Sequence, residues 1–225
     1  FGYHKLNVDF RGLQSMWLFD VPVIFDATHS VQLPGGLGTV SGGQRQFIPA
    51  LSRAAAAVGI DAIFMEVHPD PDKALSDGAN SLRLDDVKPL LAKVKQIHGI
   101  VLARRAGLRI GILSGRASAA NERRAKELKL DFLYTGILDK KEGIELLLKD
   151  QGLAPEECMY IGDDIVDARP MAICGLAVAV GDAVPELDRV AVLRTRHTGG
   201  CGAVREAIEF LLKEQGRWDS LMTPN

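Results

Sequence analysis

Two stretches of this chain put reactive side chains where phosphate chemistry needs them. Ile112-Leu-Ser114-Gly115-Arg116 ends an apolar run with a hydroxyl and a glycine ahead of a helical pattern. Backbone N–H groups in such a turn suit a phosphate oxygen. Tyr160-Ile-Gly-Asp163-Asp164-Ile-Val-Asp167 ends another apolar run with three acids. Clustered hard oxygen donors beside a phosphate site suit Mg²⁺, which takes one or two carboxylates and keeps several waters. Lys140 follows a third run and offers a charge to neutralise phosphate. The plain structural reading is that Ser114 caps a helix and the aspartates are N-caps. Earlier in the chain stand His29, Glu66 and Asp77. One imidazole and two carboxylates suit a divalent transition metal. Their plain readings are a capping or core histidine and, for Asp77, a turn acid before Gly78.

The elements that must position these residues fall into two unlike parts, residues 1–98 and 99–225, with no Pro/Gly/Ser linker or charge run between them. In the first, Pro22-Val-Ile-Phe-Asp26 and Ala62-Ile-Phe-Met-Glu66 read as strands buried on both faces of a parallel sheet. Between them lie a Gly-rich loop, Pro34 to Gly43, and an Ala-rich helix over about 46–58, which makes one β-α-β unit. The spacing predicts a long helix over 85–106, capped by Asp85 or Asp86 and ended by Gly107, so the seam at His98-Gly99 falls inside a helix. Beyond it, strands are expected at 108–113, 132–136, 159–162, 176–180 and 190–193. Helices are expected at 119–129, 141–150 and 203–215. This alternation describes an open parallel α/β sheet.

Composition is that of a globular protein: 47% hydrophobic, 25% charged, and 27 basic against 29 acidic side chains. Collagen-like and disordered chains are excluded, and a net charge of −2 gives no electrostatic case for nucleic acid or an anionic membrane. No run reaches the roughly 20 apolar residues of a membrane span. Cys158, Cys174 and Cys201 are odd in number and widely spaced, which fits free thiols and a cytoplasmic location. The chain opens on Phe1 rather than Met, so further residues upstream are expected. His4, His98 and His197 read as surface residues, Asp70 and Asp72 as turn residues, and Met159 and Trp218 as packing.

Together, ILSGR, Lys140 of LDKK and GDDIVD resemble the second, third and fourth motifs of the haloacid dehalogenase (HAD) phosphohydrolases. Residues from about Gly99 to Trp218 resemble more closely the capless phosphatases of 3-deoxy-octulosonate 8-phosphate. That likeness includes IGDD, GLAVAVGDA and the tail GG-x-GAVRE, where Cys201 stands in place of the usual arginine. In that family the tail contributes to a neighbouring subunit's active site. The resemblance implies Mg²⁺ at Asp163, Asp164 and Asp167, and phosphate binding by Ser114, Gly115 and Lys140. It also implies a nucleophile from a first-motif DxD strand, which would split the transfer through an aspartyl-phosphate. No hhhhDxDG segment precedes the helix leading to Leu108.

The first part instead carries PVIFDATHS, QLPGG, SGGQR and MEVHPDPD…ALSDG, together with Phe1-Gly-Tyr. As a set these resemble the 3-deoxy-octulosonate 8-phosphate synthases, TIM-type (β/α)8 barrels that condense phosphoenolpyruvate with arabinose 5-phosphate. Only the last two strands of such a barrel are represented. The resemblance implies His29, Glu66 and Asp77 as metal ligands, with the family's fourth ligand, a cysteine, absent; His68 is allowed a minor part. It implies Ser41 and Arg45 as sugar-phosphate binding residues.

The expected architecture is therefore α/β: the C-terminal part of a TIM-type barrel followed by a HAD-like, Rossmannoid open parallel sheet. The strand at 62–66, the long helix and the strand at 108–113 would merge the two into one hybrid sheet, bringing Glu66 and His68, or Asp26, into the place of the lost DxD. The chain then represents two consecutive steps toward a lipopolysaccharide sugar. It arises by a deletion fusion or by an error of gene assembly. Expected partners are a phosphorylated sugar acid or phosphosugar and further copies of the chain in a homo-oligomer, a tetramer by analogy, with no nucleic acid and no membrane. The competing reading is a non-catalytic phosphosugar-binding or oligomerisation remnant.

Overall fold

The computed structural model describes residues 6–19, 21–35 and 41–222. Phe1-Gly-Tyr, His4 and part of the Gly-rich loop lie outside the described residues. The chain divides into two compact units, the first reaching His98 and the second running Gly99–Leu221.

The first unit holds α1 (Phe10–Met16), β1 (Ile24–Asp26), β2 (Gln32–Leu33), β3 (Gly42–Gly43), α2 (Ile48–Val58), β4 (Ala62–Phe64), β5 (Val67–His68) and β6 (Leu82–Arg83). The helix α3 (Leu84–Arg105) follows and runs through the seam. As expected, β1 and β4 are parallel and joined by α2, with Ile24 opposite Ala62 and Asp26 opposite Phe64. In α2 the residues Ile48, Ser52, Ala55 and Ala56 are buried, a single stripe at helical spacing. From that stripe Ile48 and Ala55 pack with Val23, Phe25, Ala27 and Ile60 into one core. Pro49 sits in the first turn, where its missing N–H costs little, and Gly59 ends the helix at positive φ. The strand pair is short and one-sided: Ile24 and Phe64 stay exposed.

In the second unit come β7 (Gly111–Ser114), α4 (Ala119–Glu127), β8 (Phe132–Thr135), α5 (Lys140–Gln151), β9 (Met159–Gly162), α6 (Ala168–Met171) and β10 (Leu176–Ala179). It closes with β11 (Leu193–Arg194), α7 (Ala203–Glu214) and α8 (Trp218–Met222). Successive residues of β9 enter different cores. Tyr160 packs with Ile144, Leu147 and Met171 beneath α5 and α6. Met159 packs with Ala103 and Ala106 of α3 and its end, and with Ile208 and Leu212 of α7. Trp218 joins the second core, as its packing role predicts.

Three expectations need correction. The open sheet is interrupted: among the described residues β7 pairs only with β8, and β9, β10 and β11 form a separate parallel sheet. Every residue of β7 is half-exposed, whereas Ala177, Val178 and Ala179 of β10 are buried. The hybrid sheet does not form either; among the described residues β4 pairs only with β1. The strand expected at 62–66 stops at Phe64, and the chain then pairs through β5 with β6, which alone leads into α3. Finally, the strand expected at 190–193 is confined to Leu193–Arg194 because the amides of Val190 and Ala191 bond to Leu187 O in a turn. Among the described residues no helix is long and apolar enough to cross a membrane.

Candidate functional sites

In the first unit the C-terminal end of β1 meets the loops that follow β4 and β5. Asp26, the last residue of β1, accepts from the amides of Thr28 and His29 at 3.0 and 2.9 Å through Oδ1, and its Oδ2 lies 2.7 Å from His29 Nδ1. A chain that leaves a strand and turns at once around a carboxylate therefore fixes its own imidazole. With Nδ1 on Asp26, Nε2 faces Glu66 Oε1 at 3.4 Å. Asp77 completes the group: one ligand atom from each of His29, Glu66 and Asp77 lies within 4.8 Å of the others. Asp77 adopts a left-handed φ of 51°; its Oδ1 accepts from Gln32 Nε2 at 3.3 Å. Thr28 is buried and its hydroxyl accepts from the Glu66 amide at 3.2 Å, which ties the two loops together.

Burial pushes the Asp26 carboxyl up, but its hydrogen bonds to His29 and Thr28 outweigh that and hold it below the usual carboxylate range. The hydrogen bond to Asp26, and then the nearby charges of Asp26, Glu66 and Asp77, raise His29 against the opposing effect of burial. An imidazole whose distal nitrogen is held by a carboxylate, beside two further carboxylates, is a fitting donor set for a divalent transition metal. His68 stands outside the group, its Nδ1 accepting from the Asp70 amide at 3.0 Å. Asp70 and Asp72 are turn residues, paired with Lys73 at 2.9 Å and Arg45 at 2.5 Å. Ser41 is half-buried beside β3.

The second unit gathers its polar residues at the C-terminal ends of β7, β8 and β9. Ser114 ends β7; its Oγ accepts from the Arg116 amide and from Asn121 Nδ2, each at 3.2 Å. It is Ser118, not Ser114, that caps α4. The Ile137 amide donates to Ser114 O at 3.2 Å, joining the loop after β8 to the end of β7. That loop leads to Asp139, which caps α5, and to Lys140 in its first turn. Lys140 Nζ donates to Asp167 Oδ1 at 2.6 Å, and Tyr160 Oη donates to the same oxygen at 2.8 Å. Asp167 Oδ2 accepts the amides of Asp163 and Asp164 at 3.1 and 3.2 Å.

Asp167 is thus a buried hub, 2% exposed, whose oxygens all have protein partners. Burial raises its carboxyl, and the bonds from Lys140, Tyr160 and the two amides bring it below the ordinary value. Asp163 is shifted up, by burial first and then by the charge of Asp167. A Cβ on Gly162 would lie 2.5 Å from Asp167 Cβ, so glycine is required where the hub folds under the strand end. The three aspartates do not converge into a three-ligand group: Asp167 turns inward, while Asp163 and Asp164 are exposed.

Sequence reasoning missed Asn121, Tyr160 as a partner of Asp167, and Asp26 as the orienting partner of His29. Only Asp26 had a local signal, being three residues before the histidine. His197, expected as a solvated residue, is exposed but bonded, with Nδ1 2.7 Å from Glu206 Oε2. The same carboxylate takes the amides of Arg196 and His197 at 3.0 to 3.1 Å. Burial raises Glu206, but these bonds hold it below its usual value. The stability it contributes is present above the unfolded value and disappears as pH falls through the lower folded one. Glu206→Gln is therefore expected to lower the melting temperature at pH 7, by an amount that shrinks as pH falls below the ordinary carboxylate value, which thermal denaturation across a pH series checks.

Parallel strands carrying Ser114, Lys140 and the Asp163–Asp167 turn at one end define a HAD-type phosphohydrolase architecture, and the chain belongs to the haloacid dehalogenase-like hydrolases. A profile of that family, the haloacid dehalogenase-like hydrolase, matches residues 132–208. The chain is similar to the 3-deoxy-D-manno-octulosonate 8-phosphate phosphatase of Yersinia pestis at 38% identity and a TM-score of 0.54, over 56% of this chain and 68% of that one. It is similar to the Moraxella catarrhalis phosphatase, solved with magnesium, phosphate and KDO, at 34% identity and a TM-score of 0.55, over 57% and 74% of the two chains. Residues 2–103 match a different family, the DAHP synthetase I family. There the chain is 64% identical over 101 residues to the 2-dehydro-3-deoxyphosphooctonate aldolase of Syntrophotalea carbinolica and 62% to that of Geobacter sulfurreducens. That match takes in 45% of this chain, which spans just over a third of the length of those curated relatives, 36% and 37%. The chain thus joins a synthase-like segment to a phosphatase-like one.

Proposed function

We propose that the second unit recognises the phosphate of 3-deoxy-octulosonate 8-phosphate and hydrolyses it in the presence of Mg²⁺, in the cytoplasm. We propose equally that residues 1–98 are a fragment of the barrel synthase that makes this compound, its last two strands. The observation that carries the reading is Lys140, held by the buried Asp167 at the same strand ends as Ser114 and Asp163. Ser114 Oγ and the amides after it bind phosphate oxygens, and Lys140 offsets their charge. Asp163 and Asp164 are the carboxylates exposed to hold Mg²⁺, which supplies neutralisation of the phosphoryl oxygens.

Turnover is expected to be slow relative to the family, since the resemblance places its nucleophile on a strand beside the second-motif strand. The interruption between β7 and β9 is consistent with that absent strand. Asp26 and Glu66, the expected stand-ins, lie in the first unit about His29. The same interruption favours a second reading, a phosphosugar-binding or oligomerisation remnant without turnover. Under either reading the chain assembles with copies of itself, a tetramer by analogy.

Phosphate release from 3-deoxy-octulosonate 8-phosphate by the purified chain, with and without Mg²⁺, separates the two. Slow Mg²⁺-dependent release that disappears in Asp163→Ala is the expected result. No release from a cooperatively melting protein would leave only the binding remnant.

A further inference from the structure

We propose that the first unit carries a second anion site, for a small phosphomonoester, in the cleft between α2 and the start of α3. This site does not rest on the phosphatase reading, and none of His29, Glu66 or Asp77 lines it. The cleft encloses about 390 Å³, within the range of small-ligand sites. Arg45 and Arg53 face it from one side, and Arg83 and Lys93 from the other. Its floor is apolar: Leu82 and Leu90 are each 4% exposed, and Pro49 and Pro89 complete the lining.

Helical spacing produces this convergence. Arg53 stands one turn beyond Pro49 on α2, and Lys93 one turn beyond Pro89 on α3, so each cation lies above a proline on the face that lines the cleft. The charges are unequal to their partners. Arg45 is held by Asp72 at 2.5 Å, and Arg83 leans on Asp70 at 3.9 Å and on Pro69 O at 3.3 Å. Among the described residues Arg53 and Lys93 have no carboxylate within 4 Å, although Arg53 is half-buried. The one acid in the lining is Asp86. Counting Asp70, Asp72 and Asp86 against the four cations and Lys73, which shares Asp70, leaves two positive charges in excess, the charge that a phosphomonoester dianion cancels. Partial burial over an apolar floor strengthens that attraction relative to open solvent. The prolines and leucines offer the organic part of the ligand a dry surface.

The test is an amide-shift titration of the isotopically labelled full chain with inorganic phosphate and with glycerol phosphate, using glycerol as the uncharged control. The expected result is saturable shifts over residues 45–53 and 82–93 with both phosphates and none with glycerol. Arg53→Gln and the exposed Lys93→Gln should each weaken that binding about tenfold, and added NaCl should weaken it further. Ser114→Ala should leave these shifts intact; absence of phosphate shifts around Ser114 in the wild-type chain would count against the phosphatase reading and not against this site. Phosphate shifts confined to residues 112–116 and 163–167, or an unchanged affinity in both Gln variants, would overturn the proposal.

Discussion

Lys140→Met should destabilise the protein by about 3 kcal/mol, because removing one partner of a buried ion pair leaves the other charge uncompensated. Asp167 is 2% exposed and Lys140 18%, at 2.6 Å. After the substitution Asp167 keeps Tyr160 and two amides as donors, which places the cost at the lower end of the range for broken buried pairs. Urea denaturation gives the number, and the slope with denaturant should stay constant, since the surface exposed on unfolding is unchanged. Adding Asp167→Asn removes the orphaned charge and should return part of the loss, a coupling that a double-mutant cycle measures. A loss under about 1 kcal/mol in Lys140→Met would show that the two groups do not pair in solution. The same variant should abolish phosphate binding at Ser114 while leaving the cleft between α2 and α3 responsive.

His29→Ala should lower the affinity of the first unit for Co²⁺ or Mn²⁺ by about a hundredfold or more, as one of the three clustered donors is lost. Asp26→Asn should cost about 10- to 100-fold, the usual effect of loosening the partner that orients a ligating histidine. Competition against a chelator of known affinity measures both. Equal affinity in wild type and His29→Ala would show that the three side chains do not act together on a metal. The Asp26 variant is the more telling of the two, since Asp26 reaches the cluster only through the imidazole and the Thr28–His29 turn.

The contrast between the two clusters shows where local sequence is sufficient. In the second unit β8, β9 and β10 fall close to their expected bounds, because each is an apolar run ended by glycine, and α4 and α5 have near caps in Ser118 and Asp139. The Gly162–Asp167 turn was legible as a unit because its bonds span only three or four residues. What it would do was less legible. Asp167 reads from sequence as a third metal ligand, and only the packing of α5 against the strand end shows that Lys140, 27 positions away, claims it. The His29, Glu66 and Asp77 group spans almost fifty residues and was found through family resemblance rather than spacing.

The misplaced expectations share a cause. Strand pairing depends on which edges are free, and that is a property of the whole chain. The strand at 62–66 was expected to lie beside β7, yet Leu82 and Arg83, two residues with no pattern of their own, form β6 beside β5 and lead directly into α3. By itself the sequence determined the two-part composition of the chain, the five longest helices and seven of the eleven described strands, and the residue types available for phosphate and metal. These follow from local periodicity, capping and turn chemistry. Only the tertiary structure decided that the parallel sheet breaks between β7 and β9, that Asp167 faces inward, and that Arg53 and Lys93 converge over a common floor. Those outcomes depend on hydrogen-bond edges and burial shared between distant segments, which local periodicity does not encode.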